Sequence, residues 1–339
     1  MEKGEWFMSN ILVTGGCGYI GSRLVEELLN NQENKVVVLD SGIFGFDSLS
    51  EFLYSERFKL VKGDIRIKED ILKSLNQIDT IIHLASLVGE PSCVVDKDIA
   101  YDINVRGTRN LVECAVKKGV KNFIFASSCS VYGFGKDKFD EHSIPNPVDY
   151  YAELKLLSEK DLLNYKDKLN IIILRFCTVF GLSRRMRFDL AVNVMTASAL
   201  NNGVINVYGG QQERPFIHCG DVARAINLLF EERCKNKYTD NGIEVFNVGN
   251  NSENYNLTEV ASIISKATGN TKVNLDGLKE DNRSYSVSFD KIEQLGFSSQ
   301  KSIEVGVEEI ANSMKSGLIN NPFCDIYSNV KVATKEYLN

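Results

Sequence analysis

The sequence predicts an α/β fold, a doubly wound parallel sheet with a second, smaller α+β domain. Short apolar runs alternate with helical patterns, which is typical of a parallel sheet covered on both faces. Six runs are predicted strands, near residues 10–14, 35–40, 58–62, 79–84, 121–127 and 170–175. Helical patterns of crossover length lie near 19–30, 67–76, 98–118 and 149–167. After Gly181 the pattern changes to short strands mixed with helices.

A glycine-rich turn follows the first predicted strand. Gly15, Gly18 and Gly21 let the backbone approach a pyrophosphate, whose charge then lies against the N–H groups of the next helix. The second strand ends at Asp40, about 20 residues after the last glycine, where a carboxylate holds the ribose hydroxyls of NAD. The same carboxylate would repel the 2′-phosphate of NADP. An NAD site is therefore predicted in preference to a turn without a ligand.

The change of pattern after Gly181 predicts the domain boundaries. Residues 8–182 with about 212–248 are expected to form the dinucleotide-binding domain, and residues 183–211 with 249–339 the substrate-binding domain. The second part contains a basic loop at 183–187, two short strands within 204–217, and helical patterns near 188–201, 221–232, 256–267, 289–295 and 303–315.

Composition limits the partners of the chain. Its 339 residues are 43% hydrophobic and 25% charged, as in an ordinary globular protein. A net charge of −6 gives no electrostatic footprint for nucleic acid or an anionic membrane. Eight scattered cysteines, without a Cys-x-x-Cys pair, are interpreted as reduced thiols of a cytoplasmic enzyme. Three histidines without metal-site spacing predict no bound metal.

Two clusters of polar side chains could carry chemistry. The fifth strand delivers Ser128 and its neighbours to the carboxyl edge of the sheet, where hydroxyls can hold a substrate oxygen. Tyr151 and Lys155 are one helical turn apart, so phenol and ammonium share a face. A cation beside a phenol favours phenolate and lowers the tyrosine pKa, as a general base for an alcohol requires. If this Tyr-x-x-x-Lys spacing occurred alone, the alternative would be a pair of surface side chains without a catalytic role.

Several motifs occur together in a specific order between about residues 10 and 310. They lie at 14–21, 64–65, 83–86, 104, 127–133, 151–155, 174–176 and 214–223. This set resembles the extended short-chain dehydrogenase/reductase family, specifically its nucleotide-sugar epimerases and dehydratases. The resemblance implies a Rossmann fold, NAD as cofactor and a nucleotide-diphosphate sugar as substrate.

The resemblance also implies roles for individual residues. Tyr151 is expected to be the catalytic base, Lys155 to lower its pKa and bind the nicotinamide ribose, and Ser128 to bond the reacting oxygen. The cofactor-binding set is Gly15, Gly18, Tyr19, Ile20, Gly21, Asp40, Asp64, Ile65, Leu84, Ala85, Asn104 and Lys155. The substrate-binding set is Ser130, Arg187, Asn193, Arg214 and Arg283. The alternative is a surface ion pair for Arg214 and Arg283 and a solvated loop for Arg187.

One departure from the family bears on the reaction. The 4,6-dehydratases place an Asp-Glu pair after the active-site hydroxyl residue, whereas this chain has Cys129 and Ser130. Cys129 is either an acid or, as favoured, a small packing residue. We therefore expect an epimerase that acts through a transient 4-keto sugar in surface-polysaccharide or sugar-nucleotide biosynthesis. A 4-dehydrogenase, a dehydratase and a non-catalytic NAD-binding protein are the alternatives.

The same resemblance predicts a homodimer. In many relatives two helices pair across a twofold axis, and the patterns at 98–118 and 149–167 match them. Their apolar positions would form a four-helix contact, with burial inside one chain as the alternative: Val105, Leu111, Val112, Ala115, Leu154, Leu157 and Leu162.

Overall fold

Seven parallel strands form the central sheet of the computed structural model, which describes residues 9–135, 138–235, 242–276 and 285–338. The strands are β1 Ser9–Thr14, β2 Asn34–Asp40, β3 Phe58–Lys62, β4 Thr80–His83, β5 Asn122–Ser128, β7 Asn170–Phe176 and β11 Gly242–Val248. The first six confirm the predicted strands. β11 lies in the range assigned to the first domain but was not predicted as a strand.

The strand order places a ligand site at one edge of this sheet. The order is β11-β7-β5-β4-β1-β2-β3. Successive strands are therefore added on one side of β1 as far as β3, and on its other side from β4 onward. Thr14 pairs with Leu39 of β2 and His83 of β4, so the carboxyl ends of the three strands are level. Open α/β sheets bind ligands outside the carboxyl ends at such a switch point.

Helices cover both faces of the sheet, as predicted. One face carries α1 Tyr19–Asn30, α8 Cys219–Lys235 and α10 Asp290–Glu293. The other carries α2 Lys68–Ser74, α5 Thr108–Lys118 and α6 Tyr150–Leu162. Strand side chains alternate between the faces, since Ile11 and Val13 join one core and Leu12 the other. Each buried aliphatic side chain contributes about 1.5–3 kcal/mol.

The remaining elements build a second unit and the connections. Its strands form β12-β10-β8 and β13-β9, packed with three helices: β8 Thr178–Phe180, β9 Val204–Tyr208, β10 Glu213–His218, β12 Asn254–Asn256, β13 Lys272–Asp276, α7 Ala191–Asn202, α9 Leu257–Ala267 and α11 Ile303–Lys315. Shorter elements are β6 Lys138–Phe139, β14 Ser286–Val287, α3 Glu90–Cys93, α4 Lys97–Tyr101 and α12 Asn329–Tyr337. Short stretches of 3₁₀- or π-helix lie at Asp47–Phe52, Asp102–Gly107, Cys129–Tyr132, Leu163–Tyr165 and Asp325–Tyr327.

Two features of this layout differ from the expected domain division. β10 pairs with β8 and β12 rather than with the central sheet, although 212–248 was assigned to the first domain. α12, at the far end of the second range, packs against the central-sheet unit through Ala333. The two-domain division therefore stays a proposal, although β10 and α12 each pack against the unit other than the one to which this division assigns them.

The positions predicted for a dimer contact lie mostly inside the chain. Leu157 is 43% exposed, whereas the other six are at most 1% exposed: Val105, Leu111, Val112, Ala115, Leu154 and Leu162. These six side chains pack within the monomer and are unavailable to a second copy. Among the described helices none is long and apolar enough to span a bilayer. In the same residues, no His, Cys, Asp and Glu cluster of three or more could hold a metal.

Candidate active site

A large cleft opens at the carboxyl ends of the central strands and continues between the two units. It has a volume of about 530 Å³, which is the size of a typical cofactor or ligand site. Its walls come from the glycine turn, from the ends of β2, β4 and β5, from α6, and from the 176–191 segment. The topology thus brings the predicted cofactor and substrate residues to one place.

The glycine turn has the close packing that a dinucleotide site needs. Gly15 has φ +73°, and a Cβ on it would lie 2.7 Å from the nitrogen of Ala85. A Cβ on Gly21 would lie 2.2 Å from the carbonyl oxygen of Gly15. α1 begins with no capping side chain and no acidic residue in its first turn. Its first N–H groups have no partner within the helix, so they suit a pyrophosphate.

Asp40 is held in place at the end of β2. Its carboxylate accepts hydrogen bonds from the backbone N–H of Cys17 and of Gly42, each at 2.9 Å. Burial raises the pKa of this carboxyl group, and the two N–H donors oppose that shift. The Asp40 side chain lines the cleft at the end of β2, the strand next to the one that leads into the glycine turn. This position fits a ribose of NAD.

This position predicts a preference between the two nicotinamide cofactors. We expect the chain to bind NAD at least about tenfold more tightly than NADP, roughly 1.4 kcal/mol. Asp40→Ser removes the repelling charge and should abolish most of the difference, while Asp47→Ser, an exposed neighbour, should leave it unchanged. Direct titration of each variant with both cofactors measures this. Equal affinities in the unaltered chain would contradict the role of Asp40.

The proposed catalytic side chains meet where β5 and α6 approach each other. Asp149 caps α6 by accepting the N–H of Ala152 at 2.8 Å, which fixes the helix start. Ser128, at the end of β5, lies close enough to Tyr151 to lower the pKa of its phenol, and its Oγ accepts the backbone N–H and the hydroxyl of Ser130 at 3.2 and 2.9 Å. The Lys155 ammonium lies 5.8 Å from the centroid of the Tyr151 ring.

Burial is the main influence on the electrostatics of this group. Burial raises the pKa of Tyr151, and the charge of Arg187 and the nearby Ser128 hydroxyl offset only part of that rise. Burial lowers the pKa of Lys155 to about 8. Lys155 is not among the charges that shift the Tyr151 pKa here, so its role in lowering that pKa stays a prediction. Its ammonium instead donates to the carbonyl oxygen of Ala126 at 2.8 Å.

Comparisons with known proteins identify the family of this chain. The model of the NAD dependent epimerase/dehydratase family matches residues 11–249. The chain belongs to this family. YtcB of Bacillus subtilis, an uncharacterised UDP-glucose epimerase, is 32% identical over 229 residues, 65% of this chain and 72% of that protein.

Solved structures of the same kind cover nearly the whole chain. The UDP-glucuronic acid 4-epimerase of Bacillus cereus, in complex with UDP-glucuronic acid and NAD, is 27% identical with a TM-score of 0.80, over 91% of this chain and 99% of that one. DesIV, a dTDP-glucose 4,6-dehydratase of Streptomyces venezuelae with NAD bound, is 26% identical with a TM-score of 0.80, over 90% and 97%. The predicted family, fold and cofactor are confirmed.

Within this family site, most of the predicted cofactor residues line the cleft. Those that do are Gly15, Gly18, Tyr19, Ile20, Gly21, Asp40, Asp64, Ile65, Leu84, Ala85 and Lys155. The Tyr19 phenol itself points to the second unit, where it donates to the carbonyl oxygen of Gly181 at 2.5 Å. Asn104 lies behind the cleft, and its amide holds the backbone of Leu87 through bonds of 2.8 and 2.9 Å.

The predicted substrate residues separate into three groups. Ser130, Arg187 and Arg214 line the cleft. Asn193 is fully buried, where its amide accepts the N–H of Gly181 and donates to the carbonyl oxygen of Arg187. It thus positions the arginine-bearing loop rather than facing the cleft. Arg283 lies outside the described residues.

Cys129 takes the packing role that was the favoured alternative. It is fully buried, its Sγ donates to the carbonyl oxygen of Arg175 at 3.2 Å, and burial raises its pKa. The cleft does contain carboxylates, although the Asp-Glu pair of the dehydratases is absent from this chain. Glu90 and Asp149 line it, and Glu90 accepts the backbone N–H of Tyr151 at 2.9 Å. Both bond to the first turn of α6 as acceptors.

Several cleft residues were not found from the sequence. Arg185 lies with its guanidinium 3.8 Å from the ring centroid of Phe44, which follows β2. Asn329 and Tyr337 of α12 also line the cleft. The three-arginine loop was a visible signal for Arg185, although only Arg187 was assigned from it. No local pattern marks a helix that returns to the site from about 150 residues away.

Proposed function

We propose that the chain is an NAD-dependent 4-epimerase of a nucleotide-diphosphate sugar, with a UDP-sugar as substrate. The observation that carries the proposal is the meeting of Ser128, Tyr151 and Lys155 with the glycine turn in one cleft. The UDP group is suggested by the Bacillus cereus 4-epimerase, which binds UDP-glucuronic acid and shares most of this chain's length.

The residues of the cleft can perform the first half of the reaction. In its phenolate form, Tyr151 takes the proton of the C4 hydroxyl, and Ser128 is placed to hold that oxygen by a hydrogen bond. Lys155 supplies a positive charge beside them. NAD, when bound, accepts and returns the C4 hydride. Arg187 and Arg214 provide guanidinium groups for the diphosphate.

A dehydratase is the second candidate, and Glu90 and Asp149 are the observation that favours it. An elimination needs a general acid and base near the sugar, and these carboxylates line the cleft. Their bonds to the start of α6 argue against the role, because proton transfer would disturb the helix that carries Tyr151. A non-catalytic NAD-binding protein is disfavoured by the complete set of Ser128, Tyr151 and Lys155.

Isotope labelling separates these reactions. UDP-glucose and UDP-glucuronic acid are first compared by how much each stabilises the protein against heat. The better ligand, deuterated at C4, should give an epimer that keeps the deuterium at C4. No NADH should accumulate, and no solvent deuterium should enter C5, because the hydride returns to the carbon it left. Free NADH with a released ketone would indicate a dehydrogenase. Loss of water with solvent label in the sugar would indicate a dehydratase and give Glu90 or Asp149 the acid role.

The cytoplasmic location and the homodimer also belong to this proposal. A dimer would have to use exposed side chains of α5 and α6, such as Leu157. Light scattering at micromolar concentration tests it, and a strictly monomeric mass would refute it.

A further inference from the structure

The last described helix crosses from the second unit onto the central-sheet unit. α12 follows α11 in the chain, yet its Ala333 is fully buried in a cluster with Leu87, Cys93 and Leu154. Other side chains of α12 line the same cleft as the glycine turn, namely Asn329, Val330 and Tyr337. The helix lies outside residues 11–249, which the family model matches.

One end of α12 is tied to the loop that carries the substrate arginines. The backbone N–H of Asn329 donates to Asp189 at 2.7 Å, and Arg185 donates to the Asn329 side-chain oxygen at 2.7 Å. Arg185 also lies over the ring of Phe44, just after the ribose-binding strand β2. The first turn of α12 is therefore linked to both sides of the cleft at this end.

The other end of α12 reaches Asp64 and Ile65, two of the predicted cofactor-binding residues. The Tyr337 ring lies 6.0 Å from the guanidinium carbon of Arg66. Arg66 is in turn paired with Asp64 at 2.6 Å. α12 thus spans the cleft from the arginine loop to the Asp64 and Ile65 edge.

We propose that α12 is a strap across the NAD cleft, which must undock before NAD can enter or leave. A nine-residue helix is too short to persist in water on its own, so once its contacts are broken it unfolds. The strap therefore has two states, docked and open. In the docked state it retains the reduced cofactor between the two hydride transfers of an epimerase. The inference rests on NAD as the cofactor and not on the identity of the sugar.

Paired variants of neighbouring residues test the strap. Ala333→Asp and Ala333→Lys place a charge in the buried contact, whereas Thr334→Asp and Thr334→Lys place the same charges on an exposed position of the same helix. Each protein is loaded with NADH and chased with excess NAD, and the fall in NADH fluorescence gives the dissociation rate. Both Ala333 variants should release NADH at least about tenfold faster, since undocking does not depend on the sign of the charge. Both Thr334 variants should stay within about twofold of the unaltered chain.

Equal release rates in folded Ala333 and Thr334 variants would overturn the strap. Hydrogen exchange of the unaltered chain decides the matter if the Ala333 variants do not fold. Amides of α12 should exchange at least about fivefold more slowly with NAD than without it, because the cofactor favours the docked state, while those of α11 change little. No change in α12 would refute the proposal. Neither experiment uses a sugar, so a wrong substrate assignment leaves the result readable.

Discussion

Replacement of Tyr151 by phenylalanine is expected to lower turnover by at least about 100-fold while NAD still binds. The change removes the hydroxyl that takes the substrate proton but keeps the ring that packs in the cleft. Tyr151 lies beside Ser128 and one helical turn from Lys155. Steady-state kinetics on the epimerised UDP-sugar, with NAD binding measured by titration, give the two quantities separately.

The preceding residue offers a matched control. Tyr150 is also on the first turn of α6, but its hydroxyl donates to the carbonyl oxygen of Lys97 at an exposed position. Tyr150→Phe loses the same atom and should keep turnover within about twofold, because that hydroxyl has no part in the proton transfer. Similar losses in both variants would show that α6 itself is disturbed. Near-normal turnover of Tyr151→Phe would contradict the role of this residue as base.

Local sequence signals predicted the part of the site that lies on single elements. The glycine turn and Asp40 are each fixed by one strand end, so the distance along the chain was enough to place them. The spacing of Tyr151 and Lys155 likewise needs only one helix. The parallel sheet followed from the alternation of apolar runs and helices, because right-handed crossovers join parallel strands, whereas the order of the strands was not predicted.

Contacts between distant segments could not be predicted in this way. Glu90 reaches the start of α6, and Asn193 turns inward to hold the arginine loop, through tertiary packing alone. Asn104 stands in a motif of the family and was assigned to the cofactor, yet its side chain faces the interior rather than the cleft. A motif identifies which segment forms the site, but not which side of that segment each residue faces.

A buried ion pair supports the helix that carries the catalytic group. Arg175 of β7 makes two bonds to Glu159 of α6, at 3.0 and 2.7 Å, and both residues are 5% exposed. Ser127 donates to the same carboxylate, and Arg175 also donates to the Tyr132 hydroxyl at 3.0 Å. The network joins two strands and α6 one turn beyond Lys155. It therefore links the stability of the fold to the position of the catalytic side chains.

Arg175→Met should lower the free energy of unfolding by about 3–5 kcal/mol, because it leaves the Glu159 carboxylate buried without its partner. That is a large share of the roughly 5–15 kcal/mol that stabilise a typical domain. Arg109→Met removes the partner of Asp161, also on α6, but this pair is 43% and 25% exposed and should cost at most about 1 kcal/mol. Urea denaturation of both variants measures the difference. Adding Glu159→Leu to Arg175→Met should recover much of the loss, since the uncompensated charge is then gone. Equal costs for the two arginine variants would show that the buried pair contributes no more than the exposed one.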